Sequence, residues 1–455
     1  MLFSAKDLRK IIIPLLIQQI LTVMVGMADS MMVASAGEAA VSGVSLVGSL
    51  DLLLIYIFTS LATGGAVVIS QLLGRREPER ANEAAKQLLY STTIIAVLVT
   101  TVVLIFRHPL LHALFGDAEA AVMQNALDYF FFISLSFPFL AIEVSVSAIF
   151  RSMGNSMISM LVSLLINLIN IAGNAVLIFG FEMGAEGAAI ATLISKIIGA
   201  LIMLIFISRR SYSVHITKIY KYRPDVTMIK NILRIGIPNG IENAMFQFGK
   251  LMTQSLISSL GTVAIAANAV AGSMASLQYV PGNSINAAIV PIVGRCIGAG
   301  EKKQAKRYSR LLVLITYAIL AVVVLVMSVF ARPIIGLYGL SDNSADLARQ
   351  LIIFHGLVAI LIWPIGFCLP NVFRAASDVK ITLIISAGSM WIFRVVLGYV
   401  LALETVSVFG LFSFSGAGMG AMGVWLAMII DWIFRSAVYL PYYLRGKWLN
   451  KFKLK

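Results

Sequence analysis

The chain has 455 residues, 59% of them hydrophobic and 12% charged, against roughly 25% charged in soluble domains. That composition excludes a soluble globular or disordered protein and places the chain in the membrane class. A net charge of +14 would suit a nucleic-acid partner, but the placement of the cations described below excludes one.

Apolar stretches of about 20 residues, the length a helix needs to cross the hydrocarbon core, begin near Ile11, Val41, Leu88, Val122, Met157 and Gly187. Six more begin near Asn231, Val263, Leu311, Asp346, Ile381 and Met419. They predict twelve transmembrane helices. The first has the look of a signal peptide, with Lys6, Arg9 and Lys10 before it and Ala34-Ser35-Ala36 after it. An internal repeat makes it half of a pair, so it is read as an uncleaved helix. Pro281 and Pro291 are expected to bend or break the eighth helix, because proline removes a backbone donor. Cys296 and Cys368 are too far apart in sequence to imply a disulfide framework or a zinc site.

The loops are asymmetric in charge. Of 35 Lys and Arg, 28 fall at 6–10, 75–86, 151, 209–234, 295–310, 374–380 and 445–455, all on one side of a twelve-span topology. The other side has Arg107, Arg332 and Arg349, and Lys196, Lys250, Arg394 and Arg435 fall within helices. By the positive-inside rule both termini are cytoplasmic, and the basic loops orient the chain in a cell membrane rather than bind nucleic acid.

The chain is also a tandem repeat. Residues 13–49 align without a gap to 237–273, pairing Pro14 with Pro238, Gly37 with Gly261, Gly48 with Gly272 and Ser49 with Ser273. Further on, Gly74-Arg75 matches Gly294-Arg295 and Phe150-Arg151 matches Phe373-Arg374. Six spans per repeat give both halves the same orientation, so a pseudo-twofold axis along the membrane normal is expected. The predicted fold is an all-α membrane protein of two six-helix bundles: a first lobe over 1–210, a cytoplasmic linker over 211–230 and a second lobe over 231–455. Two such bundles suit a secondary transporter with alternating access. No nucleotide-binding G-x-x-x-x-G-K-[ST] loop, H-E-x-x-H or G-x-S-x-G is present, which argues against an ATPase or membrane-embedded enzyme. His108, His112, His215 and His355 are scattered and read as packing or interfacial residues.

Asp29 is the informative exception in the first helix, a lone carboxylate in the apolar stretch from Ile11 to Val33. Ionised groups at such a depth are costly and generally functional.

The six-plus-six repeat, the Gly74-Arg75 and Gly294-Arg295 junctions after helices two and eight, and the run Met24-Val25-Gly26-Met27-Ala28-Asp29 resemble the multidrug and toxic compound extrusion (MATE) family, over nearly the whole chain. The family carries an acidic residue on helix one, Asn followed four residues later by Asn or Asp on helix five, and Thr on helix six. Here those positions read Asp29, Asn170, Asn174 and Thr192. The resemblance implies that they bind Na⁺ or a proton, coupled to drug export, with no cofactor. Some family members carry an acid further along helix seven, where this chain has Phe246 and Gln247.

The residues agree on their own chemistry. At about 1.5 Å per residue, Asp29, Asn174 and Thr192 lie roughly 9 to 12 Å inside the outer ends of their helices. Asn170 and Asn174, four apart, share a helix face. A carboxylate, two amide oxygens and a hydroxyl form an oxygen-rich set suited to a hard cation. Helix-to-helix hydrogen bonding would explain Asn and Thr, but not the carboxylate. The second-half counterparts are Thr253, Phe393, Leu397 and Met428, so the set occupies one half only.

Glu143 and Glu242 each stand eight residues from a cytoplasmic arginine, Arg151 and Arg234, and either could meet a cationic drug. An ion pair of Lys250 with one of them is an equal expectation, because buried ions tend to be paired. Arg394, Asp431 and Arg435 are expected to form a structural network, Asp51 to lie within helix two, and Asp378 to precede helix eleven. The 25 Phe and 20 Met suit a pliable cavity. The expected partners are the bilayer and small amphipathic organic compounds, cationic ones above all, handled by a monomer. The rivals are a flippase for lipid-linked oligosaccharides, which would need several basic residues in its cavity, and a membrane-embedded enzyme or receptor.

Overall fold

A computed structural model describes residues 2–116, 118–217, 221–408 and 412–451; Lys218, Lys453 and Lys455 of the basic loops lie outside the described residues. In chain order the helices are α1 (Ala5–Ala34), α2 (Glu38–Gly74), α3 (Pro78–Phe115), α4 (Ala120–Ser152), α5 (Ser156–Asn174) and α6 (Gly184–Ile207). Then come α7 (Val226–Ser259), α8 (Thr262–Gly298), α9 (Lys302–Val329), α10 (Ala331–Gly336), α11 (Asp342–Ala375), α12 (Val379–Ser389), α13 (Leu397–Ala402) and α14 (Gly420–Arg445). π-helical segments extend α5 over Ala175–Gly180 and join α12 to α13 over Met390–Val396.

Among the described residues, eleven helices, counted with their π-helical extensions, are long and apolar enough to cross a membrane. The remaining span is α7, 34 residues long, whose apolar run is interrupted by Asn239, Glu242, Asn243, Gln247 and Lys250. The protein is thus a multi-pass membrane protein of twelve long helices, six in each half of the sequence. Helices dominate because a backbone in hydrocarbon must satisfy its own hydrogen bonds.

By contacts the chain divides into two units, Met1–Gly240 with Gly294–Gly300, and Ile241–Val293 with Glu301–Lys455. In the first unit α4 packs against α2, α3 and α6. Its core is built on Phe58, Phe130 and Phe137, with the Phe58 and Phe137 rings 6.0 Å apart. The start of α1 is fixed by a capping box, the Asp7 amide donating to Ser4 Oγ and the Ser4 amide to Asp7 Oδ2 at 2.8 Å. The two Gly-Arg junctions have a packing reason. A Cβ on Gly74 would lie 2.2 Å from the Arg295 carbonyl oxygen, and one on Gly298 1.9 Å from that of Gln71. Backbone meets backbone there, and only glycine allows it.

The basic connection after α6 is strapped to α3 in the same unit. The His215 amide donates to Asn82 Oδ1 at 2.8 Å, Gln87 donates to the Arg223 carbonyl at 2.6 Å, Lys86 donates to the Lys221 carbonyl, and Tyr90 stacks on Tyr222 at 4.1 Å.

In the second unit α11 packs between α9 and α14. Two features refine the expectation. α8 runs unbroken through Pro281 and Pro291, because each proline costs one backbone bond whereas a break in hydrocarbon would orphan several. A short antiparallel hairpin, β1 (Thr405–Val408) on β2 (Phe412–Ser415), lies between α13 and α14 in the register Thr405 to Ser415 and Val406 to Phe414.

Candidate functional site

In the first unit, α1, α5 and α6 bring Asp29, Asn170, Asn174 and Thr192 together. Asn174 Nδ2 donates to Asp29 Oδ1 at 2.8 Å. With its amide turned to suit its neighbours, the Asn170 nitrogen lies 2.9 and 3.1 Å from the two Asp29 carboxylate oxygens. The Asn170 oxygen then lies 3.1 Å from Thr192 Oγ1. Thr192 has one proton to give, to that oxygen or to the Ala188 carbonyl at 2.9 Å. Both asparagines are buried, while Asp29 and Thr192 are half-buried.

The orientation differs from the simplest expectation of amide oxygens facing a cation. Here both amides present N–H groups to the carboxylate, which is what an anionic Asp29 demands. Turning an amide by half a revolution brings an oxygen to face the carboxylate. That arrangement is favourable only when a proton or cation is shared between them. Asn174 Oδ1 is buried and makes no hydrogen bond, so it is available for such a turn.

Of the other charges, Glu143 and Glu242 find ion-pair partners other than Lys250. Glu143 on α4 pairs with Lys196 on α6 at 2.8 Å. Glu242 on α7 pairs with Arg374 at the end of α11 at 2.7 Å. Neither pairs with Lys250, which stands eight residues or about 12 Å along α7 from Glu242. Asp51 lies within α2, half-buried. Asp378 occupies the position just before α12 without a side-chain capping bond and accepts a hydrogen bond from Tyr442.

Lys250 instead joins Arg394, Asp431 and Arg435, the expected network, to which sequence reasoning had added neither Lys250 nor Phe246. Its Nζ lies 5.2 Å from the centre of the Phe246 ring, with the Arg394 guanidinium at 5.6 Å and that of Arg435 at 5.5 Å from the same ring. Arg435 Nε also donates to Asp431 Oδ1 at 2.8 Å and its other nitrogen to the Ser386 carbonyl at 3.1 Å. The two guanidiniums are then no more than about 11 Å apart and repel by at least roughly 1.5 kcal/mol at an effective dielectric near 20. A cation–π contact returns about 0.5 to 2 kcal/mol, and the one carboxylate in the group offsets one of three cations. The sequence signal was present, since three of the four intramembrane cations are these residues.

Around this group lies an aromatic cluster. Tyr279 stacks on Trp363 at 5.4 Å, Phe367 meets the edge of Trp432 at 5.5 Å, and His355 meets Trp425 at 5.0 Å and hydrogen-bonds Tyr279. Where α11 and α14 begin, a cleft of about 540 Å³ is lined by Arg349, Ile353 and Phe354 of α11, by Met419, and by Met422 and Leu426 of α14, the methionines giving it pliable walls.

The chain is similar to known proteins throughout its length. It is 27% identical over 458 residues to the "Probable multidrug resistance protein NorM" of Thermotoga maritima, covering 97% of this chain and 93% of that protein. To the "Uncharacterized transporter YisQ" of Bacillus subtilis it is 27% identical, covering 92% and 90%. Among solved structures, the outward-facing conformation of a multidrug resistance MATE family transporter of the MOP superfamily matches with a TM-score of 0.89 at 20% identity, covering 98% of this chain and 96% of that one. At that identity the likeness speaks for the fold. The MatE family model matches twice, over 14–176 and 238–400, the second match displaced by the same 224 residues as the repeat read from the sequence. With both halves matched in this way, the chain belongs to the MatE family, whose members are transporters and not enzymes.

Proposed function

We propose that the protein is a secondary multidrug exporter in which Na⁺ or a proton, bound by Asp29, Asn170, Asn174 and Thr192, drives amphipathic organic compounds out of the cell by alternating access. The observation that carries this reading is the gathering of those four side chains from three helices in a membrane-spanning region, both asparagines bonding the Asp29 carboxylate and Thr192 bonding Asn170. A carboxylate that accepts from two rotatable amides has two electrostatic states, charged or discharged, and a coupling site needs both. The names of the relatives support the drug-export part. On this reading the lobes are 1–210 and 231–455 with 211–230 between them, and the protein works as a monomer in the cell membrane.

Glu143 and Glu242 were the candidates for meeting a cationic drug. Both are engaged in ion pairs with Lys196 and Arg374, which weakens the preference for organic cations and leaves Lys250 as the substrate-site candidate of the three.

Na⁺ is favoured over the proton as the coupling ion, because one carboxylate with neutral oxygen ligands holds Na⁺ at zero net charge, whereas a proton alone does not call for Asn170, Asn174 and Thr192. The test is thermal protection of the purified protein, which follows mass action for a ligand of the native state. Na⁺ is expected to raise the unfolding temperature and K⁺ is not, and the effect is expected to vanish in Asp29→Asn and Asn174→Ala. Absence of Na⁺ protection at every pH would transfer the role to the proton.

The charge asymmetry of the loops predicts the orientation. Cysteines placed at either terminus or in 211–217 are expected to resist membrane-impermeant reagents in intact cells and to react in inverted vesicles. Labelling of 211–217 from outside would overturn the cytoplasmic assignment.

A further inference from the structure

We infer that Lys250, Arg394 and Arg435, gathered on the Phe246 ring in the second unit, bind the anionic group of an amphipathic organic substrate, a carboxylate, sulfonate or phosphate ester borne on an apolar or aromatic body. The inference rests on the reading of the protein as an exporter of amphipathic compounds and names the class of compound.

Charge is the first argument. Three cations meet within reach of one ring while Asp431 is the one carboxylate bonded within the group, Glu242 being engaged by Arg374. Among the described residues, Lys250 and Arg394 have ring contacts but no hydrogen bond or ion pair from their side chains. Packing alone does not favour such an excess, because each cation raises the cost of the next. An anion lowers it for all three, and guanidiniums bind carboxylate, sulfonate and phosphate through paired N–H groups.

The backbone supplies the second argument. Arg394 lies within the π-helical segment Met390–Val396, and single π-helical turns recur at functional sites because they re-aim the side chains they carry. Trp391 of the same segment and Trp432 of α14 each have a buried indole N–H without an acceptor among the described residues. Both are donors suited to an oxygen-rich group, and Trp432 packs edge-on to Phe367, the second ring beneath Arg435.

The repeat supplies the third. Arg394 follows Phe393, the counterpart of Asn170, and Lys250 precedes Thr253, the counterpart of Asp29, by one helical turn. Equivalent regions of the duplicated scaffold thus carry opposite signs: a carboxylate for a cation in the first half, cations for an anion in the second. An organic cation would meet repulsion at the second.

The experiment is calorimetric titration of the purified full-length protein in a neutral detergent with three matched probes: naphthalene-2-sulfonate, 2-naphthol and (2-naphthylmethyl)ammonium. The sulfonate is expected to bind at least about tenfold more tightly than the other two, since a hydrogen-bonded charge contributes on that scale. Lys250→Gln and Arg394→Gln are each expected to weaken the sulfonate about tenfold and to leave 2-naphthol unchanged, whereas Arg394→Lys, which keeps the charge and guards against a folding defect, retains most of the affinity. Tighter binding of the ammonium probe, or sulfonate affinity indifferent to both glutamine variants, would overturn the site. Asp29→Asn separates this inference from the coupling reading: it is expected to leave sulfonate binding intact even as Na⁺ protection disappears. Sulfonate binding without any Na⁺ protection in the wild type would sink the sodium reading alone. Competition by phosphatidylglycerol but not phosphatidylcholine would overturn the substrate assignment in favour of a lipid headgroup, and unchanged binding in both supports soluble cargo.

Discussion

Asp29→Asn is expected to abolish ion-coupled export while the protein remains folded and inserted. The substitution keeps the size of the side chain and removes its charge, so it tests coupling and not packing. In the wild type the carboxylate accepts from Asn174 at 2.8 Å and from Asn170 at 2.9 and 3.1 Å. An amide in its place can still accept one of these bonds, so each neighbour keeps part of its network and the half-buried position tolerates the change. What it cannot do is change charge when Na⁺ or a proton arrives, and a ligand shifts a conformational equilibrium only by its differential affinity for the two states. Export against a gradient should therefore fall to the level of cells without the transporter, measured as drug accumulation in a strain lacking its own pumps. Membrane abundance and unfolding temperature in the absence of Na⁺ should stay near wild type. Wild-type export by this variant would remove Asp29 from the mechanism.

The largest loss of stability is expected from Asp431→Ala. Asp431 is fully buried and Arg435 is 3% exposed, and removing one member of such a pair leaves an uncompensated charge at a cost of about 3–5 kcal/mol. The neighbourhood makes the upper end of that range appropriate, because Arg394 and Lys250 share the Phe246 ring with Arg435 and Asp431 is the carboxylate bonded to the group. The paired change Asp431→Leu with Arg435→Met should recover most of the loss, since it removes both charges and fills the space. Unfolding of the purified variants in detergent measures both. An Asp431→Ala protein as stable as wild type would show that the remaining cations do not need this carboxylate.

The membrane class, the twelve spans, the repeat and the exceptional Asp29 were legible in the amino-acid sequence, because each depends on local quantities: apolar length, the cost of a charge in hydrocarbon, and self-similarity at 224 residues. Asn170, Asn174 and Thr192 were joined to Asp29 by the resemblance to the MATE family, with which their spacing and depth agree. Depth in the membrane follows from counting residues along a helix, so groups at a common depth could be recognised as potential neighbours. Rotation about the helix axis and the choice of neighbouring helix do not follow from counting. That is why Glu143 and Glu242, for which a cationic drug or an ion pair of one of them with Lys250 were equal expectations, instead met Lys196 and Arg374. It is also why Lys250 stood apart from the expected network of Arg394, Asp431 and Arg435 until α7, the π-helical segment after α12, and α14 brought the three cations onto one ring. The outward turn of amide nitrogens toward Asp29 was likewise decided by tertiary structure, since an amide presents either end and the nearest charge selects between them. Continuity of α8 through Pro281 and Pro291 followed from the solvent that the fold assigns to that segment, in which an unbonded backbone group costs more than a strained helix.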